Sequence, residues 1–158
     1  MVSEYVQRLY RPAGHYEALM SANNYREARE LAAWKGRIVS AWPQVAVTHV
    51  ESGGVSSVPE VGDDLHLRAH VQLGGLVAED VTVEVVYGKS VGTDELRDVV
   101  TQALEPVLVK EAPAGGATLF TGTVELDRAG TFGYTVRVVP KNDLLISPAE
   151  MGLVAVAS

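Results

Sequence analysis

Four histidines are the side chains best suited to metal or proton chemistry in this sequence, and their spacing settles most of that question. His66 and His70 lie in "LHLRAHVQL", where every second residue is apolar, so both leave the same face of one strand. Four residues along a strand separate their Cα atoms by roughly 13 Å, whereas ligands of one ion must each approach to about 2 Å. Both are expected to face solvent; an interstrand partner is the remaining route to a site. His15 and His49 stand singly, with no aspartate or glutamate spaced to complete a cluster. No metal ligand is assigned.

The acidic pairs Asp63-Asp64, Glu79-Asp80 and Asp94-Glu95 fall between strand-like segments. Paired carboxylates can act on glycosides or hold calcium. None sits in a D-x-D-x-D-G pattern, however, and acidic turn tips are the ordinary way to solvate a β domain. Ser147 and Ser56–Ser57 lack the G-x-S-x-G elbow of a hydrolase. The glycines occur as turn pairs rather than a phosphate cradle, and no lysine has the context of a Schiff-base site. Among the aromatics, Trp34, Trp42, Tyr87, Phe120, Phe132 and Tyr134 would stack on sugar rings if exposed. Phe132 and Tyr134 share the phase of Val136 and Val138, so they are expected in the core. No catalytic and no cofactor-binding residue is assigned: the chain reads as non-catalytic.

Two kinds of element position these residues. Residues 1–43 read as helical. Ser3 can cap a short helix with Val2, Val6, Leu9 and Tyr10 on one face and Pro12 as its stop. A stronger helix follows, in which Asn24 and Glu27 have the form of a capping box. Ala28, Leu31, Trp34, Ile38 and Trp42 make a single apolar stripe that Pro43 ends. From residue 44 to 158 the period becomes two. "VAVTHVES", "LHLRAHVQL", "VTVEVVYG", a segment around Asp98–Val109, "ATLFTGTVEL" and "FGYTVRVV" follow in turn. Leu153–Val156 is a candidate last edge. Short strands with turn signals between them predict a mainly β fold, an antiparallel sandwich of immunoglobulin or fibronectin type III kind. The leader Leu126–Gly130 resembles the corner before a central strand of such sandwiches, where a tyrosine hydroxyl, here that of Tyr134, ties back to upstream backbone.

At 158 residues the chain is one domain, or one with an appendage. It has no cysteine, which removes disulfides and thiolate metal sites. A net charge of -7 argues against nucleic acid or an anionic membrane as partner. No apolar run reaches the length of a membrane span, and the mixed N-terminus does not read as a signal peptide. A cytoplasmic location is expected.

Three stretches carry a resemblance: "MVSEYVQRLYRPA" with "EARELAAWKGRIVSAWPQV", then "LGGLVAEDVTVEVVYGKSV", then "LDRAGTFGYTVRVVPKNDLLISPAEMGLV". Together and in this order they resemble the C-terminal end of bacterial α-glucan phosphorylases, of the actinobacterial and Thermus-like branch of glycogen phosphorylases. The resemblance implies a parent enzyme that moves glucose from an α-1,4-glucan onto phosphate, giving glucose 1-phosphate, with pyridoxal phosphate on a lysine. It also implies a helix completing the catalytic fold, a linker helix and a small β domain. The cofactor-lysine segment, of the form E-A-x-G-T-S-G-M-K, has no match here, so no catalytic residue carries over. The expected role is a C-terminal accessory domain that braces the catalytic domain or its oligomer, whether standing alone or cut from its enzyme. An α-glucan-binding module and an unrelated immunoglobulin-like interaction domain are the alternatives. The implied partners are the phosphorylase catalytic domain, an α-glucan and a second copy of the chain.

Overall fold

The computed structural model describes residues 25–55, 59–108 and 116–158. The predicted first helix, Asn24, His15 and Ser56–Ser57 lie outside them. Helix α1 spans Arg26–Ala41 and passes into a 3-10 turn at Trp42–Gln44, where Pro43 ends the helical ladder. The expected capping box rests on Asn24 and so lies outside the described residues; Tyr25 stands at the N-cap with φ 63° and supplies no side-chain cap. The apolar stripe behaves as its spacing requires. Ile38 and Trp42 enter the main core, Leu31 is buried, and Trp34 packs against the core from the side.

Seven antiparallel strands follow: β1 Ala46–Gly53, β2 Asp64–Gln72, β3 Val81–Val91, β4 Glu95–Pro106, β5 Ala117–Glu125, β6 Phe132–Pro140 and β7 Ala155–Val156. Their hydrogen-bonded order is β1-β2-β5-β4-β3-β6-β7. The link between β4 and β5 is narrow, made by Glu105↔Thr121 and Pro106↔Phe120. Around that link the sheet curls, so that β1 comes alongside β6 and β7 from the opposite end of the order. Among the described residues the molecule is therefore mainly β, one continuous curled, barrel-like sheet with one helix against it.

The core lies inside the curl. Leu65, Leu67, Ala69 and Val71 of β2 meet Val81, Val83 and Val85 of β3, Phe120 and Val124 of β5, and Val136 and Val138 of β6. This is the alternation seen in the sequence, carried out by strands with one dry face. β4 departs from it. Leu104 is its one buried residue, and the strand begins at Glu95 rather than near Asp98 because a tight turn at Gly92–Asp94 closes the hairpin early. Two exposed faces leave β4 no apolar period to read.

Candidate functional site

Three of the places that bring polar side chains together among the described residues bear on function. The first joins α1 to the sheet. Trp34, Lys35, Arg37 and Ile38 sit within little more than one helical turn. Ile38 is fully buried at 0% exposure. Trp34 Nε1 donates to Asp80 Oδ1 at 3.0 Å. Arg37 donates bidentately, Nη2 to Oδ1 and Nη1 to Oδ2, each at 3.0 Å. The backbone N–H of Val77 completes the set at 3.2 Å to Oδ2. Asp80 is 6% exposed and is the buried charged residue of the described chain.

The Glu79-Asp80 pair was expected as a solvated turn tip, and for Asp80 that expectation is corrected. The short helix Ala78–Asp80 aims its carboxylate back under α1. Burial raises its pKa, but the hydrogen bonds from Trp34, Val77 and Arg37 and the Arg37 charge outweigh burial and hold the carboxyl below its ordinary value. Four donors occupy the four lone-pair directions of the group. A carboxylate so saturated cannot exchange protons near neutral pH: it is a fastener. The missed signal was on the helix, where two N–H donors three residues apart border an apolar stripe and so require an acceptor.

A second fastener lies beside it. Lys35 Nζ donates to Glu150 Oε1 at 2.5 Å. The other oxygen of Glu150 accepts the N–H of Ile146 at 3.0 Å. The bond from Lys35, then that from Ile146, hold the Glu150 carboxyl below its usual range. Ser147 caps the short helix Pro148–Met151, its Oγ accepting from Ala149 N at 3.2 Å. The "SPAE" segment thus shapes a C-terminal turn that grips α1. Gly74 permits the close approach of helix and sheet: φ is +60°, and a Cβ there would lie 2.9 Å from the Ala41 carbonyl oxygen.

The second place is a histidine group. Glu51 Oε1 lies 3.5 Å from His49 Nε2 and 3.7 Å from His70 Nε2, and the two rings stand 5.8 Å apart. His49 was expected to stand singly; strand pairing between β1 and β2 gives it these neighbours instead. His66 faces outward and its Nδ1 is 3.0 Å from Thr123 Oγ1. Among the described residues no three histidine or acidic side chains are arranged to hold a metal ion.

The third place is a cleft of about 190 Å³ at the end of β3 and β6. It is built by a bulge. Between the pairs Tyr87↔Val100 and Lys89↔Arg97, Gly88 stands opposite both Asp98 and Val99. A Cβ on Gly88 would meet the Arg97 carbonyl oxygen at 2.5 Å. Asp98 adopts φ 50°, a left-handed backbone that aspartate tolerates better than most residues. Such strain costs on the order of 1–3 kcal/mol, while its exposed ion pair with Arg128, at 3.2 Å, returns at most about 1 kcal/mol. Tyr87 and Phe132 line the cleft with ring centroids 5.8 Å apart. Tyr134 stacks on Phe132 at 6.3 Å. The expected tie from its hydroxyl is not formed among the described residues; the ring packs on the core instead.

The profile of the glycogen phosphorylase C-terminal domain matches residues 42–158. The chain belongs to that family. It is 38% identical over 157 residues to glycogen phosphorylases of Mycobacterium tuberculosis and Mycobacterium bovis, covering 99% of this chain and 18% of theirs. A maltodextrin phosphorylase of Thermococcus litoralis is 28% identical over 160 residues, 98% of this chain and 17% of that protein. No solved structure matches the chain. The 158 residues therefore span less than a fifth of the length of these relatives and correspond to their C-terminal part. The described lysines do not fit a pyridoxal phosphate site. Lys35 is committed to Glu150, and Lys89 and Lys141 are exposed.

Proposed function

We propose that this chain is the accessory part of an α-glucan phosphorylase, and that it braces the catalytic portion or its oligomeric contacts through α1. The parent reaction would be phosphorolysis of an α-1,4-glucan to glucose 1-phosphate, with pyridoxal phosphate and every catalytic residue supplied by sequence beyond these 158 residues. The single observation carrying the proposal is the double fastening of α1. Arg37 and Trp34 on Asp80, and Lys35 on Glu150, fix the helix that precedes the β domain at a set angle. A flexible tether would need neither clamp. Residues 1–43 as a helical arm and 44–158 as the β domain is the division this reading uses, and the family match beginning at residue 42 supports it.

The finer fold belongs to the same proposal. The sequence of pairings groups β1-β2-β5 and β4-β3-β6-β7 on either side of the narrow β4–β5 link. That grouping supports two layers of fibronectin type III kind, the curl being where they join. A cytoplasmic setting fits the absence of cysteine. Among the described residues no helix is long and apolar enough to cross a membrane.

The test adds the chain in trans to the catalytic portion of a phosphorylase that lacks its own C-terminal part. Gel filtration should show a stoichiometric complex, and the melting temperature of the catalytic portion should rise. No complex, or glucose 1-phosphate made by this chain alone, would overturn the proposal.

A further inference from the structure

We propose that the cleft between Tyr87, Phe132, Asp98 and Arg128 binds one glucosyl unit of an α-glucan. The choice of glucan rests on the phosphorylase reading; the choice of a hexose rests on the cleft. Its volume of about 190 Å³ lies below the roughly 300–1,000 Å³ of pockets for drug-sized ligands, which limits it to one ring of a longer chain. Tyr87 and Phe132 give it an aromatic wall, and the C–H face of a pyranose packs on such a surface. An acceptor and a donor also line it. Asp98 Oδ1 has no partner among the described residues, and Arg128 uses Nη1 on Asp98 Oδ2, so that a pair of adjacent hydroxyls can bridge carboxylate and guanidinium. Lys89 and Thr131 complete the rim.

The backbone argues for a ligand as well. Asp98 is held at φ 50° by a bulge that only Gly88 permits, and its exposed partner gives the fold little in return. Strain kept without a packing reason is a mark of a site where a side chain must point one way. Loop Asp127–Thr131, between β5 and β6, lines the cleft as well. Sequence periodicity concealed all of this, because it assigned Phe132 wholly to the core.

The experiment is a titration of the isotopically labelled 158-residue chain with maltoheptaose, followed by amide NMR, with cellobiose in parallel. Saturable shifts are expected at Gly88, Asp98, Gly130 and Thr131, with little response to the β-linked sugar. Asp98→Asn keeps the left-handed backbone accessible, and Arg128→Gln removes the guanidinium while keeping a polar side chain on an exposed loop. Each should weaken binding by about ten-fold while leaving the rest of the spectrum in place. No saturable shift, or shifts confined to α1, would overturn the site. An equal response to cellobiose would overturn its assignment to α-glucan. Loss of sugar binding with the phosphorylase complex intact would remove this site and leave the bracing role standing; the converse result would do the reverse.

Discussion

At the residue scale, Asp80 holds the most consequential bonds in the molecule. Arg37 is 52% exposed, so the ion pair itself contributes modestly, but the buried carboxylate needs all its donors. Replacing it in Asp80→Asn removes the charge and leaves Arg37 unpaired beside a poor acceptor. Urea unfolding should show a loss of about 1–3 kcal/mol, and Trp34 emission should shift red as its N–H reaches water. The same group makes stability depend on pH. Its folded pKa is depressed, so its contribution is complete above the ordinary carboxylate value and is lost as pH falls through the lowered one. The stability of the native chain should fall in that acid window, and Asp80→Asn should flatten that part of the curve. A profile identical in the two proteins would show that Asp80 is not the group responsible. Ile38→Ala, beside the same clamp, should cost about 2–5 kcal/mol by opening a cavity under the helix.

At the scale of elements, the sequence was most informative where one face is dry. Leu65 to Val71 alternate so strictly that β2 could be placed within one residue at each end, and the helix stripe from Leu31 to Trp42 predicted its own buried face. It was least informative where a position is fixed by something distant. Nothing local marks Asp80 as buried, because its side-chain donors arrive from a helix more than forty residues earlier. The bulge at Gly88 and Asp98 is equally silent, since it depends on register across β3 and β4 rather than on composition. Glu51 meets His49 and His70 only after β1 and β2 have paired. The "SPAE" segment was recognisable as a spelling before it had a physical reason; Glu150 and Ser147 now give it one. Gly74 is the test of how closely helix and sheet must approach. Gly74→Ala should destabilise by about 1–3 kcal/mol, since it combines a left-handed φ with a clash against the end of α1. Denaturation of this variant without measurable loss would mean that the helix can shift at no cost.

At the scale of the whole molecule, the fold divides its labour by position. One end of the β domain grips α1 through Asp80 and Glu150, and residues of β3, β4 and the β5–β6 loop line the Tyr87–Phe132 cleft. A brace transmits position only if its arm is stiff, so the rigidity of α1 is what the proposed role most depends on. Amide hydrogen exchange of the 158-residue chain measures it directly. Protection in Arg26–Ala41 should approach that of β3 and β6, and Asp80→Asn should lower it in the helix while sparing those strands. A helix that exchanges freely while β3 and β6 stay protected would contradict the bracing role.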